Sequence, residues 1–116
     1  MNLGKNPMRS LLILVALTAG LVFAPALAQA QSFTITIKDH RFQPSELKVP
    51  AGKRITVTVV NDDATPEEFE SHELKFEKVI PGKSTGIVRF GPLSKGRYPF
   101  FGEYHEDTAK GAVVVE

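Results

Sequence analysis

Two stretches hold most of the residues that could do chemistry. "PEEFES" supplies Glu67, Glu68 and Glu70, and "GEYHEDTAK" supplies Glu103, His105, Glu106 and Asp107. A third group, Asp39 and His40, stands in "KDHRFQP". Carboxylate and imidazole suit iron, manganese, zinc and oxidised copper, and offer little to Cu(I). Soft donors are missing, because the chain has no Cys and its only methionines are Met1 and Met8. Glu103 and His105 are two apart, so in an extended chain they point to the same side.

The elements that must position these groups read as strands. "SFTITIKD" alternates in polarity with β-branched residues at period two. "ELKVPAGKRITVTVVND" gives a short strand, a Pro-Ala-Gly turn and a longer strand from about Arg54 to Asn61. "LKFEKVI" and "STGIVRF" flank the Pro81-Gly82 turn, "GPLSKGRYPFFGEY" adds another turn and strand, and "GAVVVE" ends the chain. No segment carries a helical period, and no internal repeat or low-complexity linker is present. About seven short strands punctuated by Gly and Pro predict an all-β sandwich or barrel. The two longer irregular stretches, "NDDATPEEFESHE" and "EYHEDTAK", contain most of the titratable clusters, which is where function tends to sit on a rigid sandwich.

Residues 1–30 join a basic start, with Lys5 and Arg9, to an apolar run from about Leu11 to Ala24 and a small-residue end. This reads as a secretory signal peptide, with Ala26-Leu27-Ala28 or Ala28-Gln29-Ala30 as the cleavage site. The apolar run is shorter than the roughly 20 residues a bilayer span requires, so no membrane span is expected after cleavage. Residues 31–116 would then form one small domain in the periplasm. Removing the signal takes both methionines and leaves 12 basic and 13 acidic residues, a balance that points away from nucleic acid and anionic membranes. A chain this short cannot use disulfides here, so it must close its own core, with a metal as the available help.

Other motifs read as structure. Tyr98, Phe100, Phe101 and Tyr104 are core and site-wall residues and not a base-stacking platform, given the charge balance and the export signal. Ser71, His72 and Glu73 are no triad, since adjacent strand residues face opposite ways. "PGKST" lacks the glycine spacing of a P-loop. Glu70, Glu73, Glu106 and Asp107 individually read as solvated acids, and His72 as a surface residue in the charged run "SHELKFEK".

"FQPSELKVPAGKRITVTVVND" and "GRYPFFGEYHEDTAKGAVVV" together resemble the cupredoxin family over the whole of residues 31–116, which implies a Greek-key β-sandwich. In blue copper members the ligands are a His after the strand ending in Asn, then Cys, His and Met around the last loop. On that pattern His105 matches the loop histidine, the cysteine position falls on Gly102, the methionine near Ala109, and the first histidine on Glu67 or Glu68. With one ligand of four retained, the resemblance predicts no type 1 blue copper site. It makes Glu67, Glu68, Glu103 and His105 the first candidates for a single site shared by two loops, with Asp39 and His40 next.

"EEFES", "EKVIPGKS" and "GPLSKGRYPFFGEYHEDTAKG" resemble a narrower group, the periplasmic cupredoxin-like proteins that accompany a high-affinity iron permease. That resemblance implies an iron or copper ion as cofactor, proteins of the iron-permease system as partners, and help with the oxidation and delivery of ferrous iron. Two alternatives stand beside it: a periplasmic Cu(II) carrier without redox function, and a metal-free domain that docks a partner.

Overall fold

The computed structural model describes residues 31–116, preceded only by the isolated positions Gly4 and Gly20; the expected signal peptide otherwise lies outside the described residues. Among the described residues nine strands run in the order β1 (Gln31–Lys38), β2 (Arg41–Gln43), β3 (Glu46–Val49), β4 (Ile55–Asn61), β5 (Glu67–Ser71), β6 (Phe76–Ile80), β7 (Ser84–Phe90), β8 (Gly96–Gly102) and β9 (Lys110–Val115). They form two sheets, ordered β2-β1-β4-β7 and β3-β9-β8-β5-β6. Two of the pairings, β1 with β4 and β3 with β9, are parallel crossovers, and the remaining pairings are antiparallel. Among the described residues no helix is long and apolar enough to cross a membrane.

The period-two patterns place the core. In β4 the side chains of Ile55, Val57, Val59 and Asn61 are buried while those between them are partly exposed. With Ile35 and Ile37 of β1, Ile55, Val57 and Val59 meet Phe69, Phe100 and Val113 of the other sheet. Phe42, Phe69 and Phe100 interlock at the centre, with ring centroids 5.0–5.3 Å apart and mutually tilted. Each such ring contributes about 1.5–3 kcal/mol through burial alone, before the favourable edge-to-face geometry is counted. This apolar centre lets the domain close without a single disulfide.

The count of about seven strands is too low by two, and both extra strands matter. β2 is only three residues long, too short for periodicity to show. β5 runs through "EEFES", which reads as irregular because its acids mask the alternation. The period is nonetheless there: Phe69 and Ser71 follow Glu67 inward, while Glu68 and Glu70 take the other face. Packing and pairing with β6 and β8 override the poor strand propensity of glutamate.

Three local devices hold the end of the sandwich where the acids gather. Asn61, 1 % exposed, donates through Nδ2 to the carbonyls of Thr65 (2.9 Å) and Ile80 (3.1 Å), pinning the loop that leads into β5. Gly82 packs so closely under that loop that an added Cβ would lie 2.1 Å from the Ala64 carbonyl oxygen, so only glycine fits. Asp39 and His40, in the hairpin turn from β1 to β2, have φ of 52° and 56°, a left-handed pair that usually calls for Asn-Gly or Asp-Gly. The cost is roughly 1–2 kcal/mol per residue, so the turn needs outside support. Asp63 provides it by accepting the backbone N–H of Asp39 (2.8 Å) and of His40 (3.0 Å).

Candidate functional site: two donor clusters meeting at one strand

Glu67 opens β5 and is 1 % exposed, an expensive place for a carboxylate unless it is fully paired. Its Oε1 accepts the backbone N–H of Glu68 (3.1 Å) and of Tyr104 (3.0 Å), and its Oε2 lies 2.5 Å from Nδ1 of His105. The His105 ring stacks face to face on His40, with centroids 3.6 Å apart and planes 13° from parallel. His40 Nδ1 in turn lies 3.4 Å from Asp63 Oδ2. His40, Glu67 and His105 each bring one ligand-type atom within 4.8 Å of the others. Burial by itself would raise Asp63, but the N–H groups of His40 and then Asp39 outweigh it and hold its carboxyl below the usual range, so it is ionised.

A second set gathers on the opposite face of β5. Glu68 and Glu70 converge with Glu77 of β6, which pairs across from Glu70, and with Glu103, again with one oxygen from each inside a 4.8 Å spread. Like charges this close disfavour ionisation of Glu68 and Glu70. A hydrogen bond with the Glu77 side chain, then burial and the proximity of Glu103, push Glu68 up to about 7. Burial and then Glu103 raise Glu70 as well. Glu70 Oε2 is buried with no hydrogen-bond partner among the described residues. Tyr104, raised by burial and by Glu68, borders this set.

The six residues expected from the sequence thus divide. His40, Glu67 and His105 come together; Glu68 and Glu103 come together elsewhere, joined by Glu70 and Glu77. The carboxylate of Asp39 joins neither set, and this residue contributes its backbone N–H to Asp63. Glu103 and His105 do not share a side, because Glu103–His105 is a single 3₁₀ turn and not extended chain. In that geometry, with about three residues per turn, positions two apart point in different directions. His72 is exposed, as expected, with its ring beside Phe101. Glu70 takes part in the acidic set and is not a solvated acid. Glu77 carries no signal in the sequence; only the β5–β6 register brings it in. Asp63 could have been suspected from its place two residues after the strand-ending Asn61.

Gly102 explains why no sulfur stands at its position. A Cβ built there would lie 2.6 Å from Glu67 Cδ, 2.7 Å from Glu67 Oε1 and 2.7 Å from Ala109 Cβ. The buried glutamate fills the space a cysteine side chain would need. A thiolate-ligated copper therefore does not fit this site, whereas the His40, Glu67 and His105 donors suit a harder ion such as Cu(II) or iron.

Fold and site together define a two-sheet β-sandwich in which a buried carboxylate fills the space beside Gly102. The chain belongs to the cupredoxin-like domain family, whose model matches residues 11–115. An uncharacterized protein of Rickettsia prowazekii (strain Madrid E) is 46 % identical over 82 residues, a match covering 70 % of this chain and 65 % of that protein's length. Among solved structures, the metal-binding domain of the Streptococcus pneumoniae Cu(I)-exporting P-type ATPase, in a structure with Cu(I), superposes with a TM-score of 0.64 at 19 % identity, covering 75 % of this chain and 86 % of that one. Auracyanin A, a blue copper protein of Chloroflexus aurantiacus, gives 0.63 at 19 % identity, covering 75 % of this chain and 99 % of that one. A Cu(I) form of an amicyanin variant gives 0.60 at 23 % identity, with 73 % and 82 % covered. At these identities the likeness establishes the fold.

Proposed function

We propose that this is an exported periplasmic metal-binding cupredoxin that takes up ferrous iron, favours its oxidation and passes it to an iron permease. The observation that carries the reading is the arrangement on β5: Glu67 and Glu68, adjacent and facing opposite ways, each head a converging set of hard donors. Hard carboxylates stabilise Fe(III) over Fe(II), so an iron held by Glu68, Glu70, Glu77 and Glu103 would have a lowered potential. Oxidation would require a one-electron acceptor, such as a partner redox protein, outside this chain. The proton held by Glu68 would have to depart for a cation to bind there, and Glu70 Oε2 would be available to hold that cation. The signal-like residues 1–30 and the resemblance to permease-associated proteins support the compartment and the partners.

A second reading, a Cu(II) carrier, is favoured by the imidazole pair His40 and His105 and by the copper-bound relatives of the fold. Copper would bind more tightly than iron at almost any such set, so affinity alone does not separate the two. Anaerobic calorimetric titration with Fe(II), with Cu(II) and Zn(II) as comparators, separates them by variant. Glu68→Gln with Glu103→Gln should weaken Fe(II) binding by about tenfold or more while His72→Ala leaves it unchanged. His105→Ala should act chiefly on Cu(II). If Fe(II) binding survives loss of both glutamates, the iron reading is wrong; if no variant changes any metal, the domain is a metal-free docking module.

A further inference from the structure

The sharpest unexplained feature near the site is His40. Its side chain is 41 % exposed, so packing alone does not fix it, yet its ring lies nearly parallel on His105 at 3.6 Å. It also sits in a left-handed turn, a conformation uncommon outside glycine even though Asp and His adopt it more often than most residues. Both problems have the same answer, 23 and 24 residues away in the chain. Asp63 uses both carboxylate oxygens on this turn, Oδ1 on the Asp39 N–H and Oδ2 on the His40 N–H. The same Oδ2 lies 3.4 Å from His40 Nδ1, within reach of its charge although long for a hydrogen bond.

Asp63 is itself held firmly. Its N–H donates to Asn61 Oδ1 (3.1 Å) and its carbonyl accepts the N–H of Lys83 (2.8 Å), while Asn61 is buried and tied to the Thr65 and Ile80 carbonyls. A rigid anchor thus reaches from the end of β4 to the β1–β2 turn.

We propose that Asp63 is a positioning residue for the ligand set: by clamping the Asp39–His40 turn it seats the His40 imidazole on His105, so that His40, Glu67 and His105 are assembled before an ion arrives. This rests on the metal-binding reading of that set. It gives a non-ligand carboxylate control over one ligand through the backbone, in the way that outer groups commonly fix ligating histidines.

Nuclear magnetic resonance of the metal-free protein tests the seating directly. Nuclear Overhauser contacts between the His40 and His105 ring protons should be present in the wild type and lost in Asp63→Ala, while amide shifts away from the turn stay unchanged. Persistence of the ring contacts in Asp63→Ala overturns the proposal. Asp63→Asn, which keeps an oxygen acceptor for one of the two N–H groups, should show weakened contacts and serves if the alanine variant does not fold.

Cu(II) then probes the consequence. The wild type should show hyperfine coupling to two imidazole nitrogens by electron paramagnetic resonance, and Asp63→Ala to one, with affinity reduced by about 10 to 100-fold. Asp63→Ala combined with His40→Ala should bind no more weakly than His40→Ala alone, whereas additive losses would show that Asp63 does not act through His40. If His40→Ala changes neither spectrum nor affinity, the ligand reading of His40 fails separately, and the metal-free ring contacts alone decide the role of Asp63.

Discussion

Gly102→Ala should be destabilising out of proportion to a single methyl. Its backbone, at φ −100° and ψ 109°, is ordinary extended chain, so alanine meets no conformational strain there. The cost is steric. The new carbon would lie 2.6 Å from Glu67 Cδ and 2.7 Å from Ala109 Cβ, against the 3.5–4.0 Å at which carbon atoms rest. Relief requires a shift of about 1 Å, and neither neighbour moves freely. Glu67 is held by two N–H groups and His105, and Ala109 by the bond its carbonyl accepts from the Gly102 N–H. Overpacking of this kind costs about 1–3 kcal/mol, and the fixed neighbours argue for about 2. In a domain of this size that corresponds to a fall of roughly 8–16 °C in Tm. Urea unfolding should show a lower midpoint with unchanged slope. Combining the change with Glu67→Ala should recover part of the loss, a coupling of about 0.5–3 kcal/mol in a double-mutant cycle. A neutral Gly102→Ala, or strict additivity with Glu67→Ala, would show that the carboxylate does not fill the cysteine's place.

The acidic set gives the metal-free protein a distinctive pH response. The folded state holds the Glu68 proton up to about 7 against an ordinary value of 4.5, so it binds more protons than the unfolded chain between these limits. This group's contribution to stability is therefore fully present below about 4.5 and is lost as pH rises through about 7; Glu68→Gln should flatten that slope in denaturation midpoints, and an unchanged slope would refute the assignment. With Cu(II) the protein should show only weak ligand-field absorption, and an intense blue colour would contradict the sulfur-free site. N-terminal sequencing of the protein from the periplasmic fraction should place its start near Gln29 or Gln31, whereas an intact chain in the inner membrane would show that the segment is retained as an anchor.

The legible part of this molecule was the part that repeats. "ITVTVVN" and "FTITIK" announce their faces through alternation, and His105 and Gly102 can be aligned with a known ligand pattern residue by residue. β5 was hidden because buried glutamates break the hydrophobic code, and the burial of Glu67 depends on Tyr104 and His105 far along the chain. Glu77 enters through sheet register, and Asp63 through its hold on His40, 23 residues distant in the chain. The division of one expected site into two follows from a local event, the 3₁₀ turn at Glu103–His105, that no periodicity signals.

The alternation along β5 also restricts how the preceding loop can change through evolution. Surface loops ordinarily tolerate gain or loss of a residue. Between Asn61 and Glu67, a one-residue change that slipped the strand would turn Glu67 outward and Glu68 inward, exchanging the members of both donor clusters at once. The ties from Asn61 to Thr65 and Ile80, and from Asp63 to Lys83, oppose any compensating bulge. This segment should therefore diversify by substitution at constant length: homologues that retain both donor clusters should share its residue count even where its sequence has drifted.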